Sequence, residues 1–220
     1  MKQKKQIIIF TDLDGSLLDK DTFRFDEIED YFRELISIGI KIIPNSSKTE
    51  SELLDFNKEY NLNLSFIAEN GSSINGLNFI NENLPDAISM SRTVDQIYEI
   101  YSKNIPYVLK QKVIFISKLD KREQEKILGL SLYKAKLAMD RKYSIPILFE
   151  GSEVEKDEFI KIINVAGLTA QTGGRIINIC DKVNKSEAII KTLELISNEI
   201  QNDIITIGVG DNQNDMDMLK

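Results

Sequence analysis

Apolar and polar positions along the 220-residue chain first fall into an alternation of short apolar runs and longer amphipathic stretches. Ile7 to Phe10 is a continuous apolar run, as expected of a strand in a parallel sheet with both faces covered. Asp26 and Glu29 then stand at capping-box spacing, and Ile28, Phe32 and Leu35 recur at helical intervals until Gly39. Ile40 to Ile43 is a second apolar run, and the polar turn Asn45-Ser46-Ser47-Lys48-Thr49 leads into a second capping box, Thr49 with Glu52. Leu53, Phe56 and Tyr60 continue that helix. Leu64 to Ala68 is a third short strand, ending at Glu69-Asn70-Gly71. Strands alternating with helices predict a doubly wound α/β core with a parallel sheet and right-handed crossovers.

From about Gly76 the rhythm loosens. Helices are expected at Val94 to Tyr101, Arg122 to Leu128, Leu132 to Arg141 and Lys156 to Ala166, with strands at Val113 to Ile116 and Ile147 to Phe149. This mixture reads as an inserted α+β module over residues 77–173. The regular βα pattern is expected to return with Ile176 to Cys180, a helix from Lys185 to about Ile200, and a last strand, Ile204 to Val209. The core is therefore assigned residues 1–76 and 174–220.

Composition narrows the chemistry. A formal net charge of −7 disfavours a nucleic-acid-coating surface, which needs clustered Lys and Arg. No apolar stretch is long enough to span a membrane, and the start lacks the apolar region of a secretory signal, so a cytoplasmic protein is expected. A single cysteine, Cys180, rules out an internal disulfide and suits a small buried strand position. The chain has no histidine, which excludes Ser-His-Asp hydrolysis and His-ligated zinc. Carboxylates and lysines are left to do any catalysis.

Those groups gather where an open parallel sheet binds ligands, beyond the carboxyl ends of its strands. Asp12 and Asp14 follow the first strand, Ser46 the second, Lys185 opens a helix, and Asp211 and Asp215 follow the last strand. The Asp12 side chain, the Asp14 backbone carbonyl and Asp211 could hold Mg²⁺, which takes oxygen ligands. Asp12 could then attack a phosphate ester, with Asp14 as acid for the leaving alkoxide and base for water. Ser46 could hydrogen-bond a phosphoryl oxygen, and Lys185 could offset charge in the transition state. Gly15 lets backbone come close to phosphate. Each residue also has a plainer use. Asp and Gly are ordinary turn formers, Ser46 and its neighbour Ser47 could cap a helix, Lys182 rivals Lys185, and Asp211 with Asp215 could simply favour a helix N-terminus. Asn214 and Asp215 are read as groups that orient the ligands and Lys185. Lys48, Arg141 and Arg175 are candidates for a substrate carboxylate or sugar, or plain surface cations.

Asp12-Leu13-Asp14-Gly15-Ser16-Leu17-Leu18 resembles the first motif of the haloacid dehalogenase superfamily, with Ser where Thr is commoner. Ser46, Lys185 and Gly210-Asp211-Asn212-Gln213-Asn214-Asp215 follow in the order of its other motifs, and the insertion occupies the position of that family's cap. A narrower similarity, to the mannosyl-3-phosphoglycerate phosphatases, lies in Ile43 to Thr49, Glu69-Asn70-Gly71, Arg141 to Pro146 and Gly173-Gly174-Arg175. The resemblance selects Lys185 over Lys182. It implies a Mg²⁺-dependent phosphatase acting on a small phosphorylated sugar or glycerate, with Gly15, Ser47, Lys48, Arg141, Gly174 and Arg175 near the substrate. Glucosyl-3-phosphoglycerate, sucrose 6-phosphate, phosphomutase activity and a non-catalytic binding role are the alternatives. Ile145 departs from the acidic residue usual in that family, and relatives continue for a further stretch beyond the position of Lys220.

Overall fold

The computed structural model describes residues 5–19, 24–200, 203–212 and 215–219. In chain order the elements are β1 (Lys5–Thr11), α1 (Glu29–Ser37), β2 (Lys41–Pro44), α2 (Glu50–Glu59), β3 (Phe66–Ala68), β4 (Ser73–Asn75), β5 (Ala87–Ser89), α3 (Val94–Asn104) and α4 (Tyr107–Lys110). They continue with β6 (Val113–Phe115), α5 (Lys121–Leu128), α6 (Leu132–Ala138), β7 (Ser144–Phe149), α7 (Glu153–Val165), β8 (Thr169–Gly173), β9 (Ile176–Cys180), α8 (Lys185–Glu199) and β10 (Asp203–Val209). The chain divides into two compact units, one of residues 1–48, 53–90 and 183–220, the other of residues 49–52 and 91–182.

In the first unit β1 pairs in parallel with β10 on one side and β2 on the other. Side chains alternate across a strand, and the two faces of β1 bury different clusters. Ile8 and Phe10 pack with Ile43, Ile67, Ala188 and Ile196, whereas Ile9 packs with Phe32, Ile42, Leu53 and Phe56. Helix α8 thus covers one face and α1 with α2 the other, which is the doubly wound α/β arrangement expected. The chain continues from β2 through a parallel bridge, Asn45 to Ile67, but β3 then turns into an antiparallel meander with β4 and β5. That meander carries the first unit on to Met90, past the expected boundary at residue 76. Among the described residues β10 pairs with β1 alone, and Ile205, Ile207 and Val209 are about two-fifths exposed.

The second unit is an antiparallel sheet in the order β6-β7-β9-β8, with Tyr101 of α3 and Phe159 and Ile163 of α7 packed on it. Ile176–Cys180, expected to resume the parallel core, instead pairs antiparallel with β7 and β8. Its apolar run marks a buried strand of either kind, and its unrecognised partner β8 decides which. The two strands are joined by Gly174 and Arg175, with Gly174 at φ +59°; a glycine first in a two-residue loop suits a hairpin's twist. Cys180 is buried on β9. Ile145, on β7, is 5% exposed within the apolar cluster. Helix starts follow side-chain chemistry: Thr93, Asp120 and Ser152 each make a capping box. The box expected at Asp26 and Glu29 does not form: α1 begins at Glu29 with Ile28 at its N-cap, and Asp26 and Glu29 pair with Arg24 and Arg33. The box at Thr49 and Glu52 is present.

Candidate active site

The end of β1 puts Asp12 at 6% exposure, its N–H bonded to the Val209 carbonyl at 2.8 Å. Three carboxylates, Asp12, Asp211 and Asp215, offer oxygens that all lie within 4.8 Å of one another. Asp211 is exposed and Asp215 fully buried. Asp215 orders the turn after β10, its Oδ2 accepting from the N–H groups of Asp211 (3.2 Å) and Asn212 (3.0 Å). Asn214 lies outside the described residues.

Lys185, 1% exposed at the start of α8, links this group. Its Nζ donates to Asp12 Oδ1 at 2.5 Å and Asp215 Oδ1 at 2.7 Å. A buried ammonium needs this much pairing to be tolerated. Its helix is pinned from several directions. Asn184 caps α8 by accepting from the Glu187 N–H at 2.9 Å, and Asn45 Nδ2 donates to the Lys185 carbonyl at 3.1 Å. Gly71, at φ +103°, packs so close that a Cβ would meet the Asn184 carbonyl oxygen at 2.3 Å. Asn45 and Gly71 stand in segments noted from sequence but not among its candidate site residues. The signal available was weak: a polar residue at the end of a strand, and a glycine in a turn.

Ser46, not Ser47, faces inward: it is 1% exposed, whereas Ser47 is exposed. Its N–H bonds the Ile67 carbonyl at 3.0 Å, and its hydroxyl accepts from the Lys48 N–H at 3.2 Å. Lys48 Nζ lies 2.9 Å from Asp14 Oδ2. Gly15, at φ +82°, leaves room for Asp211; a Cβ there would stand 2.5 Å from Asp211 Oδ2. Asp12, Asp14, Gly15, Ser46, Ser47, Lys48, Lys185, Asp211 and Asp215 all belong to the first unit, and hydrogen bonds and ion pairs link most of them directly. Arg141, Gly174 and Arg175 belong to the second unit. There Arg141 Nη1 donates to Ser144 Oγ at 3.0 Å, and Gly174 and Arg175 form the exposed β8–β9 turn.

Burial pushes the Asp12 carboxyl above the usual carboxylate range; Lys185 pulls the other way, and Asp215 adds to the rise. Four carboxylates, Asp12, Asp14, Asp211 and Asp215, face two ammonium groups, Lys48 and Lys185. Two negative charges remain. Among the described residues, the buried side-chain atoms without a hydrogen-bond partner are Asp14 Oδ1, Ser16 Oγ and Asn45 Oδ1. Orphaned buried polar atoms are uncommon and ask for a ligand or an ion. Excess negative charge, a carboxylate raised by burial and an all-oxygen donor set together fit a hard dication such as Mg²⁺. The Asp14 side chain is outside the three-carboxylate group and pairs with Lys48 instead.

Comparison with known proteins bears on this arrangement. Residues 9–220 match the family described as haloacid dehalogenase-like hydrolase. A glucosyl-3-phosphoglycerate/mannosyl-3-phosphoglycerate phosphatase of Methanococcoides burtonii is 32% identical, aligning with 97% of this chain and 81% of its own length. A protein of the same name from Persephonella marina is 26% identical over the same shares. The structure of a haloacid dehalogenase-like hydrolase from B. subtilis superposes with a TM-score of 0.65 at 17% identity, covering 96% of this chain and 85% of that one.

Proposed function

The chain belongs to the haloacid dehalogenase-like hydrolase family, and on that premise we propose a Mg²⁺-dependent phosphatase that cleaves glycosyl-3-phosphoglycerates, mannosyl-3-phosphoglycerate first among them. The observation that carries the reading is the buried Asp12, held by Lys185 beside Asp211 and Asp215. The names of the two relatives, both glucosyl-3-phosphoglycerate/mannosyl-3-phosphoglycerate phosphatases, support the substrate class.

Asp12, the Asp14 carbonyl and Asp211 are the proposed ligands of Mg²⁺, which when bound neutralises phosphate charge and polarises phosphorus. Lys185 holds Asp12 through Oδ1, so the nucleophile is oriented before substrate arrives. Attack by Asp12 forms a bond from its carboxylate oxygen to phosphorus as the ester P–O bond breaks, and Asp14 gives its proton to the departing alkoxide. Asp14 then takes a proton from the water that attacks the aspartyl-phosphate, which frees inorganic phosphate and returns Asp12. The Ser46 hydroxyl and Lys185 meet charge on the phosphoryl oxygens in both steps. Asp215 fixes the Asp211 backbone and one face of Lys185. Gly15 permits the approach of Asp211, since a Cβ would collide with it.

A substrate panel tests this directly. Phosphate release should require Mg²⁺, stop on chelation, and be fastest with mannosyl- or glucosyl-3-phosphoglycerate. A clear preference for sucrose 6-phosphate would refute the substrate assignment. No release from any ester by a folded, Mg²⁺-supplied sample would refute the enzyme.

A further inference from the structure

The start of α2 and the end of α6 share one hydroxyl. Thr49 is fully buried, and its Oγ1 accepts from the Glu52 N–H at 3.1 Å, which caps α2. Capping needs only an acceptor, yet the same oxygen also donates its proton to the Leu137 carbonyl, in the last turn of α6, at 2.8 Å. Carbonyls at a helix end lack the usual intrahelical partner, and a hydroxyl has a single proton to give. Two neighbours of Thr49 bind the same segment: Ser51 Oγ donates to Asp140 Oδ2 at 2.5 Å, and Lys142 Nζ to Glu50 Oε2 at 2.8 Å. Residues 49–52 accordingly group with the second unit, whereas Ser46 and Lys48, on the loop just before them, belong to the first.

We propose that Thr49 is a positioning residue for phosphoryl transfer, acting through Ser46, an inference that rests on the phosphatase reading above. The Ser46 hydroxyl accepts from the Lys48 N–H at 3.2 Å. An oxygen that accepts there keeps its own proton for a phosphoryl oxygen, so the place of the Lys48 peptide sets the direction in which Ser46 donates. That peptide is held from two sides. The Lys48 carbonyl accepts from the Glu69 N–H at 2.9 Å, and the next residue, Thr49, is tied to Leu137. A Thr49 without its hydroxyl keeps its N–H on Glu52 Oε2 at 2.8 Å but loses the hold on α6, and the Ser46–Lys48 turn gains freedom to shift. Donors stabilise a transition state only when fixed where its charge develops, and a misplacement of about 1 Å can cost a hundredfold in rate.

The test is a double-mutant cycle between Thr49 and Ser46, read as kcat/KM for an aryl phosphate with Mg²⁺, a substrate that needs no sugar recognition. Thr49→Val, which keeps the shape and removes both hydroxyl bonds, should lower kcat/KM about tenfold. Thr49→Ser, which restores the hydroxyl, should recover most of the loss. In a Ser46→Ala background, itself slower than the wild type, Thr49→Val should cost less than about twofold, because residues that act through one another are not additive. A purely structural Thr49 would lower the amount of folded enzyme equally in both backgrounds. Equal losses in the two backgrounds therefore overturn the proposal, as does a Thr49→Val enzyme as fast as the wild type or a Thr49→Ser enzyme as slow as Thr49→Val. No turnover by the folded wild type would refute the phosphatase reading itself, and the proposal with it.

Discussion

Lys185 shows how a single residue can serve stability and chemistry together. It is buried between Asp12 and Asp215, and removing one partner of a buried ionic group leaves the others without compensation. Lys185→Met should therefore lower the stability of metal-free protein by about 3 kcal/mol in denaturant unfolding, and phosphatase turnover with it. Full stability would mean that the carboxylates are not held by the lysine. Along the chain, the aspartates after β1 and β10 were legible because turn position and residue type coincide. The Lys48–Asp14 pair was not: 34 positions separate them, and no periodicity reports which loops meet across a sheet edge. Sequence assigns the phosphoryl contact to Ser46, and Ser46 is the buried member of the Ser46-Ser47 pair.

At the scale of elements, apolar runs located strands well but did not say which sheet they join. β1, β2 and β10 were read correctly as parallel, because helical segments lie between them. β9 was not, since its run of Ile176, Ile177, Ile179 and Cys180 suits a buried strand in either sheet and β8, rich in Thr, Gln and Gly, gives no alternating signal. Polar chemistry at the ends of the inserted segment also escaped notice. Arg92 Nε donates to Asp181 Oδ2 at 2.9 Å, and Arg92 Nη2 to the Gly167 carbonyl at 2.7 Å. The Arg92 guanidinium holds the Asp181 carboxyl below its usual range. A depressed folded-state value contributes stability above the unfolded-state value of about 3.9 and loses it as pH falls through the folded one. Asp181→Asn should thus cost about 1 kcal/mol near neutrality, a modest figure because Arg92 is 37% exposed and screened. The gap from wild type should narrow as pH falls below the unfolded-state value of about 3.9 and vanish once Asp181 protonates in the folded protein. A pH-independent gap in thermal or denaturant unfolding would reject the ion pair as its cause.

Across the whole molecule, the site's excess negative charge links folding to metal. A ligand that binds only the native state stabilises it by mass action, by about 2.7 kcal/mol at a hundredfold excess over Kd. Mg²⁺ should raise the melting temperature of the wild type and do so far less for Asp211→Asn, while that variant remains folded. Equal shifts in the two would remove Asp211 from the ligand set. All the groups assigned to phosphoryl transfer lie in the first unit, so the central claim can be tested without sugar recognition. In Asp14→Asn the second step lacks its base, whereas a good leaving group still permits the first. The decisive measurement is the intact and peptide mass of Asp14→Asn quenched after mixing with an aryl phosphate and Mg²⁺. One phosphoryl group per chain, on the peptide carrying Asp12 and absent after chelation, is the expected result. A phosphoryl group on any other residue, or wild-type-like turnover by an Asp12→Asn control, would contradict Asp12 as the nucleophile.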